Sequence, residues 1–130
     1  MTTLEVHRYQ TADGKEPLTE WLDRLRDGRT RARIVARLDR LQIGLFGDAK
    51  SVGAGVSELR YDFGPGYRVY YGQEGAQLVL LLCGGDKGSQ TTDIEKAHDY
   101  WKDYKARSAP NPPAAAKPPV QGFRAPAKRK

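Results

Sequence analysis

The sequence has a single cysteine, two histidines and no acidic residue after Asp103. Cys83 has no second thiol to pair with, and it lies in the apolar run LVLLLC, so it is expected as a small core residue in a reducing setting. No hydrophobic stretch approaches the roughly 20 residues that cross a bilayer, and the opening MTTLEVHRYQ has no signal-peptide pattern. A cytoplasmic protein with no membrane partner is therefore expected. No His, Cys or Asp cluster falls at metal-ligand spacing, which agrees with an expectation of no metal and no cofactor. A phosphate-binding loop is excluded as well, because Lys50 and Ser51 precede Gly53 and Gly55 rather than following a glycine run.

What is abundant is positive charge, and it is unevenly placed. The chain of 130 residues carries 22 Lys plus Arg against 16 Asp plus Glu, a net charge of +6. Residues 106–130 hold six of the basic residues and none of the acids, which leaves residues 1–105 balanced at 16 of each. The excess charge thus sits in a segment rich in Ala, Pro and Lys, whose composition suits a disordered tail. The high isoelectric point alone says nothing about a folded nucleic-acid surface. One domain over 1–105 and a tail over 106–130 is the expected organisation.

Along the chain, LEVHRY at 4–9 reads as a first strand. His7 lacks an evident partner carboxylate there and is read as structural or surface. Pro17 opens a helix with Leu18, Trp21, Leu22 and Leu25 on one side; Asp27 and Gly28 break it. A second helix from Thr30 carries Ile34, Leu38, Leu41 and Leu45 on one face and Arg29, Arg31, Arg33, Arg37 and Arg40 outward. That cationic face is either an ordinary solvated surface or a ridge for phosphates or an acidic partner, since guanidinium binds both bidentately. Residues 46–56, FGDAKSVGAGV, read as a loop.

The most informative stretch is Ser57 to Asp93. Alternation places Glu58, Arg60 and Asp62 on one strand face and Leu59, Tyr61 and Phe63 on the other. Gly64, Pro65 and Gly66 turn the chain into a return strand. With Tyr61 and the other apolar residues toward the core, Glu58, Arg60, Arg68 and Tyr70 are expected on the exposed face, while the loop itself does not fix the register. Gln77 to Cys83 is apolar at nearly every position and suits a central strand buried on both faces. A last helix is expected from Thr92 with Glu95 completing a capping box, and with Ile94, Ala97, Trp101 and Tyr104 inward. His98 beside that stripe is read as packing or solvent-facing.

The order strand, two helices, three strands and a helix, together with ELR, GPGYRVYY and LLLCGGDKGSQTTDIEKA, resembles the RelE/ParE toxin superfamily. It is most similar to the HigB-like, phage-related addiction-module killer proteins, over roughly residues 4–105. The resemblance implies an α+β fold: an N-terminal strand, a helical hairpin, an antiparallel three-stranded meander and a C-terminal helix. It also implies the toxin of a type II toxin-antitoxin module, a metal-independent endoribonuclease that cuts mRNA on the ribosome. Its partner would be a helix-turn-helix, HigA-like antitoxin.

Carried over to this sequence, Arg68 would stabilise the scissile phosphate, with Lys87 and Arg60 as further cations. The family's tyrosine at the start of the last helix is missing, and the neighbourhood of Asp93 and Ile94 stands there instead. Glu58 is then the local candidate for the base that takes the ribose 2′-OH proton, and Tyr70 a proton donor or stacking ring. Tyr70, Lys50, Arg33 and Arg37 are the expected RNA-binding residues. The same resemblance leaves two other functions open: a ParE-like inhibitor of DNA gyrase, and a degenerate toxin that only binds its antitoxin.

Overall fold

The computed structural model describes residues 3–108, a mixed α+β arrangement of one five-stranded sheet and three α-helices. The expected tail lies, from residue 109 on, outside the described residues.

The first strand, β1 (Glu5–Arg8), is followed by α1 (Pro17–Arg24) and α2 (Gly28–Asp39). Pro17 occupies the first turn of α1, where its missing N–H leaves no bond unmade. Asp27 caps α2, its side chain accepting from the Arg29 N–H at 3.1 Å and the Thr30 hydroxyl at 3.0 Å. Both helices lay Leu18, Leu22, Ile34 and Leu38 on one sheet face, against Leu59, Tyr61, Val69, Tyr71, Val79 and Leu81. Leu41 joins them from a 3-10 turn, Arg40–Ile43, whereas Leu45 lies past that turn and is 55% exposed. The helical period stops at Asp39, so the expected fourth position of the stripe never reaches the core.

The stretch expected as a loop forms a strand. β2 (Ala49–Gly53) pairs antiparallel with β3 (Val56–Arg60), so the sheet has five strands rather than four. Its composition concealed it: β2 is an edge strand, mostly exposed, so nothing selects alternating apolar residues. The glycines flank a tight reversal in which Gly53, Ala54 and Gly55 have φ of 92°, 54° and 84°. β4 (Arg68–Glu74) and β5 (Leu78–Gly85) complete the sheet in the order β1-β5-β4-β3-β2. Only β1 runs parallel to its neighbour β5; the other pairings are antiparallel. The expected meander is present as β3-β4-β5, and β5 is buried on both faces.

His7 is buried on β1, and the carboxylate it was thought to lack is two residues away on the same face: Nε2 lies 3.0 Å from Glu5 Oε1. Alternation along a strand makes i and i+2 neighbours, which a search for distant partners overlooks.

The last helix, α3 (Gln90–Arg107), covers the other sheet face. It starts earlier than expected, after a 3-10 turn at Lys87–Ser89. The capping box belongs to Asp86, whose side chain accepts from the N–H groups of Gly88 (2.9 Å) and Ser89 (3.2 Å). Ala97, Trp101 and Tyr104 pack against Val56, Tyr70, Leu80, Leu82 and Cys83. His98 packs at the edge, with Nε2 3.0 Å from the Val52 carbonyl oxygen. At the far end, Tyr9 donates to Asp103 Oδ2 at 2.5 Å, and Arg107 bonds both Asp103 and the Gln10 carbonyl, which ties α3 to the end of β1.

Two glycines set how closely the helices approach the sheet. A Cβ on Gly72 would overlap the Trp101 ring of α3, and one on Gly84 the Trp21 ring of α1. Neither position has room for a methyl group. Gly72→Ala is therefore expected to destabilise the protein by about 1–3 kcal/mol, the usual range for overpacking a close-fitted core. An unchanged urea midpoint would show that Trp101 has another seat.

Candidate functional site

Cross-strand pairing builds the site. Lys50 on β2 is opposite Glu58 on β3, Glu58 is opposite Tyr70 on β4, and Tyr70 is opposite Cys83 on β5. The next row on the same face is Arg60, Arg68 and Gly85. Gly85 carries no side chain because the Asp93 carboxylate of α3 occupies that space. Lys87 follows at once, its Cβ lying within 3.4 Å of where a Cβ on Gly66 would stand. Glu58, Arg60, Arg68, Tyr70, Lys50 and Lys87 are thus gathered at one end of one sheet face.

This face is not open, as alternation alone had suggested. α3 covers it, so Glu58 is 2% exposed and Tyr70 is wholly buried. A strand pattern reports which residues share a face, never what lies on that face. Tyr70 consequently has no free ring for a base to stack on, and its expected RNA-stacking role does not hold in this arrangement.

The start of α3 supplies groups that the sequence reading missed. The Gln90 side-chain amide donates to Glu58 Oε1 at 3.0 Å and is 3.3 Å from Oε2. Ser89 donates to Asp93 Oδ2 at 2.5 Å, and Asp93 is itself buried. The QTTD segment held this information only as polar residues at a helix start, the ordinary composition of any first turn.

Two buried donors have no acceptor among the described residues: Arg68 Nε and the Tyr70 hydroxyl. Buried polar atoms are nearly always paired, so two orphans side by side on one strand face are informative. Burial raises the Tyr70 pKa well above the ordinary phenol value, and the charges of Glu58, Asp93 and Cys83 push it the same way against Arg68. Tyr70 therefore keeps its proton. Cys83 beside it is pushed up to about 12, by burial first and then by Asp93, which makes it an inert thiol. Arg60 is held by Asp48, Nη2 to Oδ1 at 3.0 Å, a contact that raises its pKa further.

Arg33 and Arg37 lie elsewhere. They belong to α2, on the opposite side of the sheet from α3. Arg33 stacks over Phe63 with its guanidinium carbon 3.7 Å from the ring centroid. Arg37 donates to the carbonyls of Arg60, Phe46 (3.0 Å) and Asp48 (2.9 Å) while lying over Tyr61. Arg37 is therefore a brace between α2 and the β2–β3 region, not a free phosphate ligand. Arg31 is similarly turned inward, to the Leu22 and Leu25 carbonyls at the end of α1. Helical periodicity placed all five arginines outward, but a long side chain reaches back over its own helix edge.

A protein from Haemophilus influenzae (strain ATCC 51907 / DSM 11121 / KW20 / Rd), whose description reads "Uncharacterized protein", is 54% identical over 77 residues, covering 59% of this chain and 78% of that one. The chain belongs to that protein's family. No protein-family model matches the chain, and neither does any solved structure. Among the described residues no helix is long and apolar enough to cross a membrane.

Removing the orphaned hydroxyl tests the site without reference to activity. Tyr70→Phe is expected to stabilise the protein by about 1–3 kcal/mol, the desolvation penalty of an unpaired buried polar group. A urea midpoint that falls instead would mean that the hydroxyl has a partner in solution.

Proposed function

We propose that the protein is a RelE-like, HigB-like toxin of a type II toxin-antitoxin module, acting as a metal-independent endoribonuclease on ribosome-bound mRNA. The observation that carries this reading is the pair of unmatched donors, Arg68 Nε and the Tyr70 hydroxyl, set among Arg60 and Lys87 beside the Glu58 carboxyl group. Transesterification of RNA needs a base at the 2′-OH, positive charge at the phosphorane and a proton for the leaving 5′ oxygen. Glu58 serves as the base, Arg68 with Lys87 and Arg60 as the charge, and Tyr70 as the donor. Gln90 would hold the Glu58 carboxyl group until substrate displaces it, because both carboxyl oxygens face its amide. A cytoplasmic site of action and a helix-turn-helix antitoxin complete the proposal.

A second reading is favoured by the burial of Glu58 and Tyr70 under α3. A base that never meets solvent suits a degenerate toxin that binds its antitoxin and cuts nothing. The gyrase-inhibitor alternative has no observation of its own in its favour.

One experiment separates the first two readings. Wild-type protein added to a translation extract should yield codon-phased 5′ ends on the message. Arg68→Ala should reduce that cleavage about 10²-fold or more, as loss of an oxyanion-stabilising donor does, with an unchanged melting curve. Message that stays intact at doses that stop growth would sink the ribonuclease reading.

A further inference from the structure

We propose that the outer surface of α2 and of the 3-10 turn after it, from Arg33 to Leu45, docks an acidic segment of a protein partner that also carries aliphatic side chains. The surface has three parts. The first is a groove of about 320 Å³ lined by Arg33 and Arg37 of α2, by Arg40 of the 3-10 turn after it, and by Tyr61, Asp62 and Phe63. Arg37 is committed to backbone carbonyls, but Arg33 and Arg40 are exposed and have no ion pair among the described residues. The second part is the stack of Arg33 on Phe63, which holds one face of an exposed guanidinium, a group that can take a carboxylate bidentately. The third is apolar. Ile43 and Leu45 are 62% and 55% exposed, and they are the exposed large hydrophobic residues among those described. The Leu45 N–H bonds the Arg40 carbonyl at 3.2 Å, which holds the backbone of the apolar pair beside an arginine that lines the groove.

Charge complementarity selects an anionic occupant, since three guanidinium groups face the single carboxylate of Asp62. The choice between RNA and an acidic polypeptide turns on the rings and the aliphatics. Single-stranded RNA is held by bases stacked on free aromatic faces. Here Phe63 is capped by Arg33, and Tyr61 is 5% exposed beneath Arg37, so neither ring offers a face. The phosphate backbone has no use for Ile43 and Leu45. An acidic segment with aliphatic residues on one side uses both halves of the surface: carboxylates between Arg33 and Arg40, methyl groups over Ile43 and Leu45. The groove lies across the sheet from Glu58 and Arg68, so its occupant leaves that end of the molecule uncovered.

The test is selection of a random-peptide library on the full chain, followed by affinity measurements with the enriched peptides and with a single-stranded oligoribonucleotide. Enriched peptides should be acidic and contain Leu, Ile or Val. Their affinity should fall about tenfold or more in the double variants Arg33→Ala/Arg40→Ala and Ile43→Ser/Leu45→Ser, the scale of one lost charge-assisted bond or buried side chain. Arg68→Ala should bind them as wild type does, which separates this surface from the proposed ribonuclease site. All four altered positions are exposed, so both double variants should keep the wild-type melting curve. Failure to enrich acidic peptides, or equal affinity for wild type and both double variants, would overturn the proposal. So would oligoribonucleotide binding that depends on Arg33 and Arg40 while peptide binding does not, because the groove would then belong to RNA.

Discussion

The structure depends on the close seating of α3 on the sheet. Trp101 lies where side chains on Gly72 and Gly55 would otherwise stand, and the Asp93 carboxylate fills the space above Gly85. These contacts draw the helix down along its length, from its first turn to the stack of Trp101 on Tyr104 at 5.3 Å. Dispersion falls off within an ångström, so a helix held off by one methyl group would lose much of this contact. The polar row of Glu58 and Tyr70 is buried as a consequence. Its unusual chemistry, a protonated phenol and a carboxyl group met by a single amide, follows from a packing decision made at three glycines.

That dependence explains what the sequence revealed and what it hid. Glu58 with Arg60, and Arg68 with Tyr70, were legible as same-face pairs because the period of a strand fixes them, whereas the register that sets one pair against the other is not determined by the loop sequence. The helical stripes of α1, α2 and α3 were legible for the same reason, and so was the burial of β5. What covers a face is a tertiary fact. Nothing local to Glu58 announces that Gln90, 32 residues later, will meet it. β2 was hidden by its position: an edge strand exposed along most of its length leaves no apolar signature, and the glycines around Ala54 read as loop.

The arginines of α2 show how a charge pattern on a helix wheel divides when the fold is formed. Five guanidinium groups in about three turns looked uniform, yet they do different jobs. Arg31 and Arg37 satisfy carbonyls left open at the end of α1 and around β2 and β3. Such positions suit Arg better than Lys, because a planar fork with several N–H groups reaches two or three acceptors at once. Arg33 and Arg40 are exposed and have no ion pair among the described residues. The neutral balance of residues 1–105 therefore conceals a local excess of positive charge on this face.

The sheet separates two cationic regions, and that separation constrains any mechanism. A ligand at Arg68 and one at Arg33 approach from opposite sides, through different layers: the first meets the start of α3, the second the outside of α2. Coupling between them would have to pass through the strands, and the structure offers one direct path. Arg37 bonds the Arg60 carbonyl from the α2 side, while the Arg60 side chain stands in the polar row beside Arg68 on the α3 side. Asp48 is braced to both arginines: its carbonyl accepts from Arg37 and its carboxylate from Arg60. Among the described residues, the Arg60 backbone thus stands between the two regions, bonded by Arg37 on one side and carrying its own side chain toward Arg68 on the other.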